Sequence, residues 1–139
     1  GPMIVESVMI TRVVTVEMDD SLDEVRGIFQ KSNFHHLLVS SDNQLMGVVT
    51  EKDLWKAVSP YVGTLSETER DLATLNKRVH QIMKRHHPTV TRETSIEEAA
   101  HLLLDEGISC LPVISDEEMI EGIVSWKDIF RALLQGSHS

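Results

Sequence analysis

The chain repeats itself once, and an internal repeat constrains a fold more than any local pattern, because both copies must reach the same structure. Met9 and Met83 stand 74 positions apart, as do Thr15-Val16 and Thr89-Val90, Ser21 and Ser95, Glu24 and Glu98, Val39 and Val113, and Ser41-Asp42 and Ser115-Asp116. Beyond that point the spacing is 75, linking Gly47 to Gly122, Val49 to Val124, Lys52-Asp53 to Lys127-Asp128 and Ala57 to Ala132. The second copy therefore carries one extra residue in its 116–119 turn, where a length change is cheap.

Both copies predict the same elements. The β-branched runs Val13-Val14-Thr15-Val16 and Thr89-Val90-Thr91 read as strands. Ser21-Leu22-Asp23-Glu24 and Ser95-Ile96-Glu97-Glu98 are capping boxes that open helices. Leu22, Val25, Ile28 and Phe29 then recur at helical spacing, matched by Ile96, Ala99, Leu102 and Leu103. Asn33 and Gly107, two residue types that tolerate the left-handed conformation, are expected to close these helices. A hairpin follows in each copy: Leu37 to Ser40 with Leu45 to Val49, and Leu111 to Ile114 with Ile120 to Val124. A last helix carries Leu54, Trp55 and Val58, or Ile129, Phe130, Leu133 and Leu134. Between the copies, Leu72, Leu75, Val79, Ile82 and Met83 predict a connecting helix after a turn-rich break at 59–63. The expected fold is α/β (α+β): β-α-β-β-α repeats at 5–58 and 79–134, joined by a 59–78 linker with that helix. Each repeat is too small to bury an adequate core alone, so the two are expected to pack as pseudo-twofold mates.

Composition narrows the function. The 139 residues suit one compact domain or two half-size units, and 41% hydrophobic residues can fill such a core. A formal charge of -9 opposes a nucleic-acid polymer, so any bound anion should be small and met by a local cluster of cations or amides. A mononucleotide fits that description. One cysteine, Cys110, forms no internal disulfide, and no apolar run reaches membrane-spanning length or follows a basic leader. A cytoplasmic protein without membrane contact is expected. Gly1-Pro2 ahead of Met3 reads as a protease scar, and Gly136-Ser137-His138-Ser139 as vector-derived or native, so neither end carries functional weight.

Candidate chemistry concentrates at Gly47-Val48-Val49-Thr50-Glu51-Lys52-Asp53 and Gly122-Ile123-Val124-Ser125-Trp126-Lys127-Asp128, the two strand-to-helix junctions. A hydroxyl at a helix start lies beside free amides and the positive end of the helix dipole, and a carboxylate three residues on can accept both hydroxyls of a ribose. The same spacing is also a helix cap worth about 1 kcal/mol, and both readings stand at this point. Arg12, Lys52, Arg85, His86 and Lys127 fall at predicted strand starts or helix starts, the cations a phosphate would need on so acidic a chain.

With Ile108-Ser109-Cys110-Leu111-Pro112-Val113 before the second hairpin, this twin pattern resembles the tandem cystathionine-β-synthase (CBS) domain pair, the Bateman module, over about Val5 to Leu134. The resemblance implies a regulatory module, not an enzyme, with clefts between the repeats for an adenosine-containing ligand. AMP, ADP or ATP come first, with S-adenosylmethionine, NAD or a cyclic dinucleotide as further options and no resident cofactor. It also implies a homodimer that passes its state to an unidentified effector protein. Carried over by position, Thr50 with Asp53 and Ser125 with Asp128 match the residues that hold phosphate and ribose. His35 and Ser109, next to Ile108, match a position facing phosphate, and Arg12, Val14, His86 and Pro88 match the start of the first strand, which lines the adenine pocket. One departure is Leu38, which stands where the second repeat has Pro112.

Other readings are weaker. His35-His36 and His86-His87 are adjacent pairs, which a strand points to opposite faces, so no metal site is expected. Cys110 lacks an evident base and reads as a buried structural thiol. Trp126 is expected to pack against a dimer partner or the linker helix, the alternative being a ring that stacks on a base. Apolar residues in the linker helix and the terminal helices, Trp55, Phe130 and Leu134 among them, suggest a homodimer. A purely structural dimerisation module without ligand is the rival to the sensor.

Overall fold

A computed structural model describes residues 3–136; the two ends set aside above, Gly1-Pro2 and Ser137-His138-Ser139, lie outside them. The elements in order are β1 (Thr15–Glu17), α1 (Leu22–Lys31), β2 (His36–Ser41), β3 (Gln44–Thr50), α2 (Glu51–Ala57), α3 (Glu69–Ala73), α4 (Ile96–Glu106), β4 (Cys110–Ile114), β5 (Ile120–Ser125) and α5 (Trp126–Gly136). Short 3-10 turns occupy Val5–Ser7, Thr74–Asn76 and Val79–Gln81. The result is a mixed α+β fold of two β-α-β-β-α-like repeats.

The folding units are not the sequence copies. One compact unit, here the Thr50 unit, comprises Val14–Asp42 and Met46–His86; the other, the Ser125 unit, comprises Gly1–Val13, Asn43–Leu45 and His87–Ser139. The segment ahead of each β1 position thus belongs to the unit built mainly from the opposite copy. In the Ser125 unit, Val5 N donates to Thr94 O at 2.8 Å, Ile96 N to Met3 O at 3.1 Å, and Ile10 and Ile123 exchange two backbone bonds of 2.9 Å. In the Thr50 unit, Val79 N donates to Asp20 O at 2.9 Å and Leu22 N to Lys77 O at 2.9 Å, while Val48 and Lys84 exchange bonds of 3.0 and 2.9 Å. Every one of these bonds has its mate at the repeat spacing.

Each unit has its own core. Val16, Leu22, Val25, Phe29, Leu37, Val49, Leu54, Leu75, Val79 and Met83 are buried together in the Thr50 unit, and Val5, Val90, Ile96, Ala99, Leu103, Leu111, Val113, Val124 and Ile129 in the Ser125 unit. Ser21 and Ser95 start α1 and α4 as N-caps, accepting from Glu24 N and Glu98 N at 3.2 and 3.0 Å. Gly107 closes α4 at φ 64°, a conformation that favours glycine. The β2–β3 hairpin turns through Asp42 and Asn43, both at positive φ, as a tight two-residue hairpin requires.

Four expectations need correction. Asn33 does not close α1 in the left-handed conformation; the helix ends at Ser32, in extended backbone, whose hydroxyl donates to Ile28 O at 2.7 Å. The strand expected at Thr89-Val90-Thr91 shrinks to a single parallel bridge between Val90 and Val113. β1 itself begins at Thr15, not Val13, and pairs in parallel with β2. The connecting helix is also broken into α3 and two 3-10 turns. Thr68 and Asp71 cap α3 reciprocally, and Thr74 Oγ1 donates back to Asp71 O at 2.6 Å where α3 ends. Lys77 is then extended at ψ 154°, so the chain cannot continue as a helix. Leu75, Val79 and Met83 keep the apolar spacing that suggested one, yet all three are buried in the core and offer nothing to a dimer partner.

Candidate functional site

Each unit contains one strand-to-helix junction with a hydroxyl and a carboxylate three residues apart. At the β3–α2 junction, Thr50 Oγ1 accepts from Asp53 N at 3.1 Å and Asp53 Oδ2 accepts from Thr50 N at 3.0 Å. At the β5–α5 junction, Asp128 Oδ2 accepts from Ser125 N at 2.8 Å and from Ser125 Oγ at 3.0 Å. Capping accounts for both sets of bonds. Asp128 is only 5% exposed, and a buried carboxylate needs partners, which these bonds and Arg131 Nη1 at 3.5 Å supply. Asp53 instead faces Lys84 Nζ at 3.7 Å.

A second matched contact draws in the residues ahead of the middle strands. Glu51 N donates to His35 O and Trp126 N to Ser109 O, each at 3.2 Å, so the backbones of His35 and Ser109 meet the starts of α2 and α5. His35 Nδ1 also donates to Glu51 Oε1 at 2.9 Å. Chemically, each junction offers a hydroxyl and a carboxylate near an exposed lysine, Lys52 or Lys127. Such a set can hold the hydroxyls and phosphate of a nucleotide once the capping bonds are shared with it.

The remaining candidates are placed less closely. Arg12, Lys52, His86 and Lys127 are exposed, Val14 is exposed too, and Pro88 and Ile108 are half-buried. Among the described residues no hydrogen bond or ion pair ties these seven to either hydroxyl–carboxylate pair. They sort by unit: Val14, His35, Thr50, Lys52, Asp53 and His86 lie in the Thr50 unit, and Arg12, Pro88, Ile108, Ser109, Ser125, Lys127 and Asp128 in the Ser125 unit. Arg12 and Val14, two residues apart, therefore fall in different units, as do His86 and Pro88.

Lys84, Glu51 and Arg131 are the contacts that pattern reading missed. Lys84 and Glu51 both break the repeat, with Ile10 and Trp126 as their mates, and that mismatch was the available signal. Trp126 stacks on Phe130, ring centroids 5.4 Å apart, and packs on the core of its own unit. That contact replaces the expected packing against a partner or the linker.

Among the described residues, no group of three or more His, Cys, Asp or Glu is placed to hold a metal ion, and no helix is long and apolar enough to cross a membrane. Cys110 is buried, and burial pushes its thiol up to about 12. A thiol reagent at neutral pH is therefore expected to leave Cys110 unmodified until the protein unfolds, which absorbance-monitored labelling with and without denaturant will read. Because the folded thiol has the raised value, its stabilising contribution is complete below the unfolded value of 9.0 and is lost as pH climbs toward about 12.

Comparison with known proteins agrees with this architecture. The family model for the CBS domain matches the chain twice, at residues 5–59 and 79–135. A homoserine O-acetyltransferase of Methanohalobium evestigatum is 32% identical over 130 residues; the match covers 93% of this chain and 24% of that enzyme, so the chain spans about a quarter of its length. The CBS domain pair of protein MJ0100, solved in complex with 5-methylthioadenosine and S-adenosyl-L-methionine, superposes with a TM-score of 0.78 at 26% identity, covering 99% of both chains. CBSX2 in complex with AMP superposes with a TM-score of 0.81 at 25% identity, covering 97% of this chain and 98% of that one.

Proposed function

Because this chain belongs to the CBS domain family, we propose that it is a regulatory, ligand-sensing module, its repeats at 5–58 and 79–134, and not an enzyme. Its ligand is an adenosine-containing small molecule, with AMP, ADP or ATP first. The observation that carries this reading is the duplicated hydroxyl–carboxylate junction, one in each folding unit, with the same residue types at the same spacing. Relatives of this architecture are bound to AMP and to S-adenosyl-L-methionine with 5-methylthioadenosine, which supports the ligand class. In this reading Thr50, Asp53, Ser125 and Asp128 hold ribose and phosphate, His35 and Ser109 flank the phosphate, and Arg12, Lys52, His86 and Lys127 offset the charge. The exposed Trp55, Phe130, Leu133 and Leu134 support a homodimer as the working assembly.

Thermal-shift titration with AMP, ADP, ATP, S-adenosylmethionine, NAD and cyclic dinucleotides tests the proposal. A true ligand at 100 times its Kd is expected to add about 2.7 kcal/mol of stability. The rival reading, a dimerisation scaffold, draws on the finding that both carboxylates are already engaged as helix caps. It wins if no compound raises the melting temperature.

A further inference from the structure

The two junctions match in most of their charges and differ in one pair. Lys52 and Lys127 are repeat mates, and each unit supplies one arginine near the start of its first strand, Arg85 or Arg12. Asp53 and Asp128 are each paired with a cation, Lys84 at 3.7 Å and Arg131 at 3.5 Å. What does not match is Glu51, whose carboxylate adjoins Thr50 and binds His35 at 2.9 Å, against the uncharged Trp126 and Ser109 of the other junction. A carboxylate can only accept, so the His35 ring donates from Nδ1 and the pair carries a charge of -1 or 0, whichever form the ring takes. In neither form does it offer a phosphate net positive charge, and the Glu51 oxygens repel one.

Resting on the proposed function above, we infer that Glu51, held by His35, is a specificity-determining residue that makes the two sites unequal. The Thr50–Asp53 site takes an adenosine-type ligand without negative charge at its 5′ end, a nucleoside or a thioether. The phosphorylated ligand is left to the Ser125–Asp128 site. His35 is a positioning residue: it fixes the Glu51 carboxylate beside Thr50, and its own contact with ligand is secondary.

Calorimetric titration of the full chain with AMP and with adenosine tests this, using Asp53→Ala and Asp128→Ala to assign each binding event to a site. In the wild type the Thr50–Asp53 site is expected to prefer adenosine over AMP by about tenfold, the scale of one like-charge contact at partial exposure. Glu51→Gln is expected to remove that preference by tightening AMP alone, with adenosine unchanged, a split that a purely structural role for Glu51 would not produce. His35→Ala, which leaves the carboxylate without its partner, is expected to weaken AMP at this site further while melting near the wild type. AMP and adenosine bound there equally well, before and after Glu51→Gln, overturn the charge assignment alone. Absence of binding by either compound at either site overturns the ligand-sensing reading and this inference together.

Discussion

Alanine at Gly122 or at Gly47 is expected to destabilise the protein by about 1–3 kcal/mol, near the upper end of that range for both. A Cβ on Gly122 would lie 2.8 Å from Ile10 O and 3.1 Å from Met9 Sδ; on Gly47 it would lie 2.8 Å from Lys84 O and 3.0 Å from Met83 Sδ. In each case the nearest atom is a backbone carbonyl within a pair of reciprocal hydrogen bonds, Ile10 with Ile123 and Lys84 with Val48, so it cannot rotate aside as a side chain would. The methyl group must push the docked segment off its strand or distort the bridge. Gly27 is the control: it lies inside α1 with open space around its missing Cβ, and Gly27→Ala is expected to stabilise by roughly 0.5–1 kcal/mol. Urea unfolding of the three variants reads all of this. Melting of both junction variants with the wild type would mean that the segments are not held as tightly as their bonds imply.

Asp128→Ala is expected to weaken nucleotide binding at its site by roughly 10- to 150-fold, the loss of charge-assisted bonds to ribose hydroxyls worth about 1.5–3 kcal/mol. Asp53→Ala is expected to do the same at the other site. The buried geometry adds a stability cost at Asp128, because the Ser125 N–H, 2.8 Å from Oδ2, loses its acceptor, and a buried polar group without a partner costs about 1–3 kcal/mol. Asn separates the two effects. Asp128→Asn keeps an oxygen for the Ser125 N–H and is expected to recover most of the stability, yet only a minor part of the affinity, since the charge is gone. Calorimetry beside melting curves measures both. A set of variants that lose stability while binding as the wild type does would reduce the carboxylates to helix caps.

The repeat made the elements legible because chemistry with a local cause leaves a local mark. Ser21, Ser95 and Gly107 sit where a helix must begin or end, and Asp42-Asn43 where a hairpin must turn, whatever surrounds them. The linker misled for the same reason: Leu75, Val79 and Met83 have helical spacing, but 3-10 turns divided by an extended Lys77 bury the same residues. Segment exchange was invisible in principle. A repeat says that residues 3–13 and 77–86 are equivalent, and two equivalent segments fit either unit equally well on paper. At the site, spacing showed which hydroxyl and carboxylate share a junction, but neither the burial of Asp128 nor the reach of Lys84 to Asp53, since both depend on the exchanged segments or the core.

The exchange also orders events during synthesis. Lys84 follows Val48 closely, so the Thr50 unit has all its parts as soon as residue 86 leaves the ribosome. Ile10 is made early but finds Ile123 only when the chain is nearly finished, a delay of roughly 5–20 s at ordinary elongation rates. Closing that long loop costs only slightly more chain entropy than closing the short one, so the difference is one of timing more than of strength. Residues 3–13 thus travel through translation as an unclaimed, partly apolar strand-former. A nascent-chain protease or chaperone meets that segment for most of the synthesis, and meets its twin at 77–86 hardly at all.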